Sequence, residues 1–300
     1  MNRIVFGCGN FGGLGSSPAL RDKGDDRERA LALLDHARDH GLTRFDTANT
    51  YGGGTSERVL GEWLKGQSPA VRAGLQIATK VGNPNGCPKG DTPLSRTQIA
   101  VHLDESLRRL GLDRIDLYYL HEFDPRTPIE ETLEAMDRAI EQGKVAAVGV
   151  SNTTAMELKG FLSRIDGRLR SAFTHVQNLF NLLEQGDLED VIPLCRAEGL
   201  QYVAFSPLSG GLLSGKYKSG EPAAAGRVKD APGFYDHLLT DATFDAIAAL
   251  RRQAGTDGLT VAGAALRFIL DCPAALSLII APRSVAQFDD YDLGRLGAAR

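Results

Sequence analysis

Cysteine is scarce in this chain: four in 300 residues, at Cys8, Cys87, Cys195 and Cys272, with no two closer than 77 positions. No pair makes a CxxC metal or redox motif, and a disulfide framework of the secreted kind is excluded. No apolar run approaches the roughly 18 residues that a membrane-spanning helix needs. Neither sign of charge prevails, since 34 Lys plus Arg meet 38 Asp plus Glu for a net −4. That leaves no global field for holding a polyanion, so nucleic acid is not expected as a main partner. The amino terminus, Met1 to Phe6, lacks a signal-peptide apolar region and cleavage site, and the expectation is a soluble cytoplasmic protein. His36 and His40 share a helix face at i, i+4. Ala37, Arg38 and Asp39 stand between them without the glutamate of a zinc-protease helix, so no metal is expected there.

What is present is a regular alternation. Runs rich in Val, Ile, Phe and Tyr occur at 4–8, 43–46, 75–80, 115–121, 145–151, 173–177, 202–206 and 276–281. Amphipathic stretches at 27–40, 56–65, 96–110, 129–142, 154–165, 188–198, 242–254 and 261–270 fill the gaps. Gly41 and Gly199 close helices, and Thr55 or Ser56 opens one. Eight strand and helix units in 300 residues predict a single-domain (β/α)8 barrel, a TIM barrel, rather than a doubly wound open sheet. One long irregular stretch, 209–240, follows the seventh strand, and a loop of that length inside a compact domain is usually functional.

Two glycine-rich stretches resemble nucleotide sites and fail the test of context. Gly7-Cys8-Gly9-Asn10-Phe11-Gly12 fits GxGxxG, but Gly13-Leu14-Gly15-Ser16-Ser17-Pro18 cannot open the helix that a Rossmann site needs. Gly210 to Tyr217 fits GxxxxGK but puts Tyr217 where a P-loop needs Ser or Thr, and no helix can open in the residues that follow. A GxSxG nucleophile elbow is absent.

More telling are the carboxyl ends of the strand-like runs, where barrel enzymes place their chemistry. Asp46, Lys80, His121, Ser151, Gln177 and Ser206 stand there in turn, separated by 34, 41, 30, 26 and 29 residues, so all six converge on one rim. Tyr51, just beyond the second strand, can meet Lys80 from the third. A phenol is a poor acid at neutral pH unless a neighbouring cation stabilises its anion, and Lys80 is expected to lower its pKa. Asp46 then fixes Lys80, and His121 can hydrogen-bond a carbonyl oxygen.

These residues resemble the aldo-keto reductase superfamily, in order along most of the chain. The likeness runs through Phe45-Asp46-Thr47-Ala48-Asn49-Thr50-Tyr51-Gly52, Ala78-Thr79-Lys80, Leu117-Tyr118-Tyr119-Leu120-His121 and Gly149-Val150-Ser151-Asn152. It continues through Gln177-Asn178-Leu179-Phe180-Asn181 and Phe205-Ser206-Pro207-Leu208-Ser209-Gly210-Gly211 to Ala281-Pro282-Arg283-Ser284-Val285-Ala286-Gln287. The resemblance implies NADPH-dependent reduction of an aldehyde or ketone, with Tyr51 as the acid among Asp46, Tyr51, Lys80 and His121. It assigns Ser151, Asn152 and Gln177 to the nicotinamide carboxamide, with Asp46 beside them, and Phe205 to stacking on the ring. Ser206, Pro207, Leu208, Gly211 and Lys216 would pass over the pyrophosphate, and Arg283 and Gln287 would hold the adenosine phosphate, Arg283 favouring NADPH through its 2′-phosphate. Phe11, Tyr51, His121 and Phe123 are the substrate-pocket candidates, whereas Trp63 reads better as core.

Three features depart from the family pattern. The expectation is that the amino-terminal hairpin is missing and the barrel floor less covered, that Tyr291 stands where many members have Asn near the adenine, and that the carboxyl-terminal segment which often closes the substrate pocket is short. Two other functions remain open. A cofactor-binding sensor or regulatory subunit could keep the same residues with slow turnover, and a Schiff-base lyase could use Lys80 if Asp46 did not hold it charged. The partner in view is a small-molecule carbonyl compound.

Overall fold

The computed structural model describes residues 3–298 except positions 89, 222, 224 and 275. The expectations that touch residues 1–2 and 299–300 lie outside them. Eight strands pair in sequence order, every neighbour parallel: β1 Ile4–Gly7, β2 Arg44–Asp46, β3 Gln76–Val81, β4 Ile115–Leu120, β5 Val145–Ser151, β6 Phe173–Leu179, β7 Gln201–Phe205 and β8 Ser277–Ile280. β8 returns to β1 through Ile4 opposite Leu278 and Phe6 opposite Ile280, which closes the sheet into a single-domain (β/α)8 barrel. Strands covered on both faces need apolar residues on both, which is why they read as near-continuous runs rather than alternations.

The two faces do different work. Outward residues such as Phe6, Phe45, Ile77, Tyr118 and Val176 join the main core beneath the helices. Inward residues stack in layers. Arg44, His175 and Ser277 form a polar floor, with Arg44 donating to Ser277 Oγ at 3.4 Å and lying 3.2 Å from His175 Nε2. Above it sit Val5, Val203 and Ile279 on one side and Ala78, Leu117 and Tyr119 on the other. Gly149 makes room in this layer, since a Cβ there would lie 2.7 Å from the Tyr119 ring and 2.6 Å from the His175 carbonyl. The next inward positions, Asp46, Lys80, Ser151 and Gln177, reach the carboxyl-terminal rim.

The surrounding helices begin on side-chain caps, as at Asp26, Ser95, Thr240 and Thr260, and a full capping box opens the helix Ala155–Leu162 with Thr154 and Glu157. One cap differs from the sequence expectation. The helix Thr55–Gly66 starts behind Gly54 in a left-handed conformation, φ 86°. Ser56, expected as a possible cap, is drawn inward instead: its Oγ donates to the Cys8 carbonyl at 2.8 Å and lies 2.7 Å from Thr47 Oγ1. The residues after the first glycine cluster form only a 3-10 turn, Pro18–Leu20, and 209–214 forms another, so neither stretch presents a nucleotide-binding helix. Among the described residues, no helix is long and apolar enough to cross a membrane.

Candidate active site

Asp46 ends β2 and Lys80 stands next to last in β3, both pointing into the barrel mouth. Their side chains form an ion pair with Lys80 at 0% exposure and Asp46 at 2%. Lys80 Nζ also donates to the Thr47 carbonyl at 2.8 Å, and Gln177 Nε2 donates to the second Asp46 oxygen at 3.0 Å. Every charge in the pair is thus met by a partner, the condition for burying one at tolerable cost. Burial alone would lower the Lys80 pKa, but the Asp46 carboxylate overrides it and holds the ammonium above its ordinary value.

Tyr51 hangs over this pair. It opens a turn, Tyr51–Gly54, in which Gly52, Gly53 and Gly54 all have positive φ and fold the chain back on itself. A Cβ at Gly52 would lie 2.5 Å from the Phe11 carbonyl, so the turn that aims Tyr51 requires glycine there. Its hydroxyl oxygen is 3.5 Å from Lys80 Nζ. The expected depression of the phenol does not occur in this structure. Burial raises the Tyr51 pKa first, Lys80 opposes, and Asp46 pushes it up again, leaving it above its ordinary value. Burial of the phenol, the largest of these causes, was not visible in the sequence. The consequence is a phenol that is protonated at neutral pH.

His121 follows β4 directly, is buried, and meets Tyr51 edge to face with ring centroids 5.7 Å apart. Burial, reinforced by the Lys80 charge, holds its pKa well below the ordinary value, so the ring is neutral. Its Nδ1 is buried without a hydrogen-bond partner. An unpaired lone pair is less costly there than an unpaired N–H, so the proton belongs on Nε2. Tyr51, Lys80, Asp46 and His121 are therefore brought together as one cluster.

The residues assigned to the cofactor line the same rim. Ser151 ends β5, and Asn152, at φ 52°, donates to the His121 carbonyl at 2.9 Å. Phe205 ends β7 and is partly exposed. Ser206, Ser209, Gly210, Gly211 and Gly215 all take positive φ, and Pro207 and Leu208 lie inside that turn. Non-glycine residues in this conformation are strained, and such strain gathers where backbone must approach a ligand. The N–H groups of Ser209, Gly211, Leu213 and Gly215 are spent on carbonyls within the turn itself, which holds the backbone in this shape.

Lys216 follows this turn, close enough to Arg283 for the two charges to repel. Burial and then the Arg283 charge hold the Lys216 ammonium below its ordinary value, and among the described residues Lys216 has no ion pair. Arg283 donates to Asp25, Asp230 and the Lys23 carbonyl, at 3.3, 3.1 and 3.0 Å, and its backbone N–H donates to Gln287 at 2.9 Å. An anion between the two cations would relieve their repulsion, so the residues present fit a phosphate-bearing cofactor.

The structure also separates the pocket candidates. Phe123 is 41% exposed beside the site. Phe11 is not available: at 1% exposure it packs in the main core with its ring 6.2 Å from Phe6. Its place next to a strand end suggested a pocket residue, but its ring turns under the helices. Tyr291, also buried in the main core, offers no face to an adenine. Trp63 is core, 5.0 Å from Phe45 and bonded through Nε1 to Asp35. Sequence reasoning missed Arg227, Asn10 and Asp230. Arg227 reaches from the stretch after β7 to Asn10 Oδ1 at 2.9 Å, and its charge favours the Tyr51 phenolate. Asn10 in turn donates to the Ala281 carbonyl at 3.1 Å. Their partners are distant in sequence, 217 positions apart for Arg227 and Asn10, 271 for Asn10 and Ala281, and 53 for Asp230 and Arg283.

The model of the Aldo/keto reductase family matches residues 3–291. A protein of Bacillus subtilis (strain 168) described as an uncharacterized oxidoreductase, YrpG, is 33% identical over 298 residues, covering 97% of this chain and 86% of that protein. L-glyceraldehyde 3-phosphate reductase of Escherichia coli (strain K12) is 30% identical over 269 residues, covering 88% of this chain and 78% of its own length. Aldo-keto reductase yakc of Schizosaccharomyces pombe, named with NADP(+), is 34% identical over 194 residues, 64% of this chain and 56% of that protein. With the closed barrel, the clustered rim residues and these likenesses in hand, the chain belongs to the aldo/keto reductase family and is an oxidoreductase.

Proposed function

We propose that this chain reduces an aldehyde or ketone to an alcohol with NADPH, Tyr51 giving the proton. The observation that carries the reading is the buried Lys80–Asp46 pair beneath a protonated Tyr51, with neutral His121 edge-on beside it. Bound NADPH supplies the hydride. Tyr51 donates its phenolic proton to the oxygen that becomes the alcohol, and the phenolate left behind lies against Lys80. At 3.5 Å a unit cation and anion attract by about 4–5 kcal/mol at an effective dielectric constant near 20. That attraction develops only as the proton leaves, which makes it transition-state rather than ground-state stabilisation. His121 donates from Nε2 to the same carbonyl oxygen and fixes its direction. Lys80, held charged, is not an amine nucleophile, which disfavours Schiff-base chemistry.

Ser151, Asn152 and Gln177 would hold the carboxamide, Phe205 would offer a ring face, and the turn at 206–216 would carry the pyrophosphate. Arg283, Gln287 and Lys216 would take the adenosine phosphate, with Arg283 exchanging carboxylate partners for a 2′-phosphate. The relative named for L-glyceraldehyde 3-phosphate supports an aldehyde substrate. Calorimetric titration of NADPH and NADH into wild type and Arg283→Ala tests the cofactor. NADPH is expected to bind more tightly and to lose about tenfold or more on substitution, with NADH little affected. Binding of neither nucleotide would overturn the reading.

A further inference from the structure

Among the described residues, one group of metal-ligating side chains comes together away from the rim: His36, His40 and Asp289. His36 sits in the last turn of the helix Arg27–Asp39 and His40 caps it, so the two imidazoles lie one turn apart, tilted by 42° with centroids 4.1 Å from each other. Asp289 ends the helix Val285–Asp289, 253 positions from His36, and its Oδ1 lies 2.9 Å from His36 Nε2. One ligand atom from each of the three lies within 4.8 Å of the others.

Two further observations favour a metal ion over a simple helix-to-helix hydrogen bond. His40 Nδ1 lies 2.8 Å from the His36 carbonyl, which can only accept, so Nδ1 carries the proton and the neutral ring keeps the Nε2 lone pair for a ligand. Such a backbone partner is the feature that orients ligating histidines. Phe288, buried in the main core, packs edge-on against His36 at 4.9 Å and lies 5.2 Å from His40, holding both rings on the same side of the gap.

We propose that His36, His40 and Asp289 bind one Zn2+ or a similar divalent transition-metal ion, with water completing the coordination. Two imidazoles and one carboxylate suit zinc, cobalt or nickel rather than calcium or magnesium, which take oxygen ligands. A tetrahedral ion with bonds of about 2.0–2.2 Å holds its donors about 3.3 Å apart. Closing the trio to that spacing asks for at most about 1.5 Å of movement at the side-chain ends, and Asp289, at 56% exposure, has room to turn once its contact with His36 Nε2 gives way to the ion. The spacing of the two histidines was visible in sequence, but the glutamate that a zinc-protease helix carries between them is its general base, and its absence here says nothing about a third ligand. The fold supplies it from the far end of the chain. The ion would tie the first outer helix to the segment after β8, which carries Gln287 and through it the Arg283 backbone. Bound only in the folded state, it would stabilise by mass action.

The test uses tag-free, full-length protein freed of metal with EDTA. Zn2+ is titrated in competition with a chromophoric chelator, and Co2+ by its visible absorption, in wild type, His40→Gln and Asp289→Asn. The expected result is one Zn2+ per chain, weakened about tenfold or more by each substitution, with tetrahedral Co2+ bands lost in His40→Gln. Zn2+ should raise the Tm of wild type and not of His40→Gln. Asp289→Asn, at an exposed position, decides the matter if His40→Gln folds poorly. Absence of stoichiometric binding, or binding unchanged in both variants, would overturn the proposal.

Discussion

Replacing Asp46 by Asn is expected to destabilise the protein by about 3 kcal/mol, because it strands the Lys80 ammonium in the barrel. Lys80 has no exposed surface through which to recover hydration, and only the Thr47 carbonyl at 2.8 Å and the Tyr51 oxygen at 3.5 Å remain to it. Breaking a buried ion pair from one side costs about 3–5 kcal/mol. Asn keeps the volume and can still accept from Gln177, which places the loss at the lower end. Lys80→Met strands the carboxylate instead and is expected to cost about as much. The double variant leaves no unpaired charge, and its loss is expected to fall several kcal/mol short of the sum, near about 1–2 kcal/mol. Guanidinium unfolding of the four proteins, compared at constant m, measures the cycle. Costs that add within about 0.5 kcal/mol, or an Asp46→Asn loss under about 1 kcal/mol, would refute the reasoning.

Two further outcomes test the scaffold. Gly61 lies where the helix Thr55–Gly66 meets the helix Arg96–Leu110, and a Cβ there would sit 2.2 Å from the Arg109 carbonyl. Gly61→Ala is therefore expected to cost about 1–3 kcal/mol in denaturant unfolding although Ala is the better helix former, and a neutral or stabilising result would contradict that contact. His175 in the polar floor is held down at about 4, by burial and then by the Arg44 charge. The unfolded chain takes up that proton near pH 6.5 and the folded one not until about pH 4, so stability is lost as pH falls through this window, by about 3 kcal/mol in all. His175→Gln should flatten the slope of unfolding free energy between those limits, and parallel slopes would exclude the contribution.

How much of this was legible in sequence depended on whether the cause was local. β5 carries its predicted limits, Val145–Ser151, and the other strands lie close to theirs, because strands buried on both faces read as unbroken apolar runs. Asp46, Lys80 and Gln177 were legible for a related reason: a polar residue closing an apolar run has the barrel mouth to face. Phe11 misled because adjacency to a strand end says nothing about which way a ring turns. The Tyr51 pKa misled because the burial of its ring, which outweighs the Lys80 charge, is a property of the closed barrel and not of the local sequence. Arg227, Asp230 and Asp289 carried no local signal at all, since each acquires its meaning from a partner that only the closed barrel brings near. Gly54 in place of Ser56 at a helix start is the same lesson on a smaller scale: the serine hydroxyl had a better buried partner.

The central claim is that Tyr51 delivers the proton, and Tyr51→Phe tests it most directly. The substitution keeps the ring that packs against His121 and Gly9 and removes only the hydroxyl. Single-turnover reduction of an aldehyde at saturating NADPH should fall about 100-fold or more, with the affinity for NADPH measured by calorimetry unchanged. A variant that binds NADPH as before and reduces the aldehyde at the wild-type rate would contradict the account.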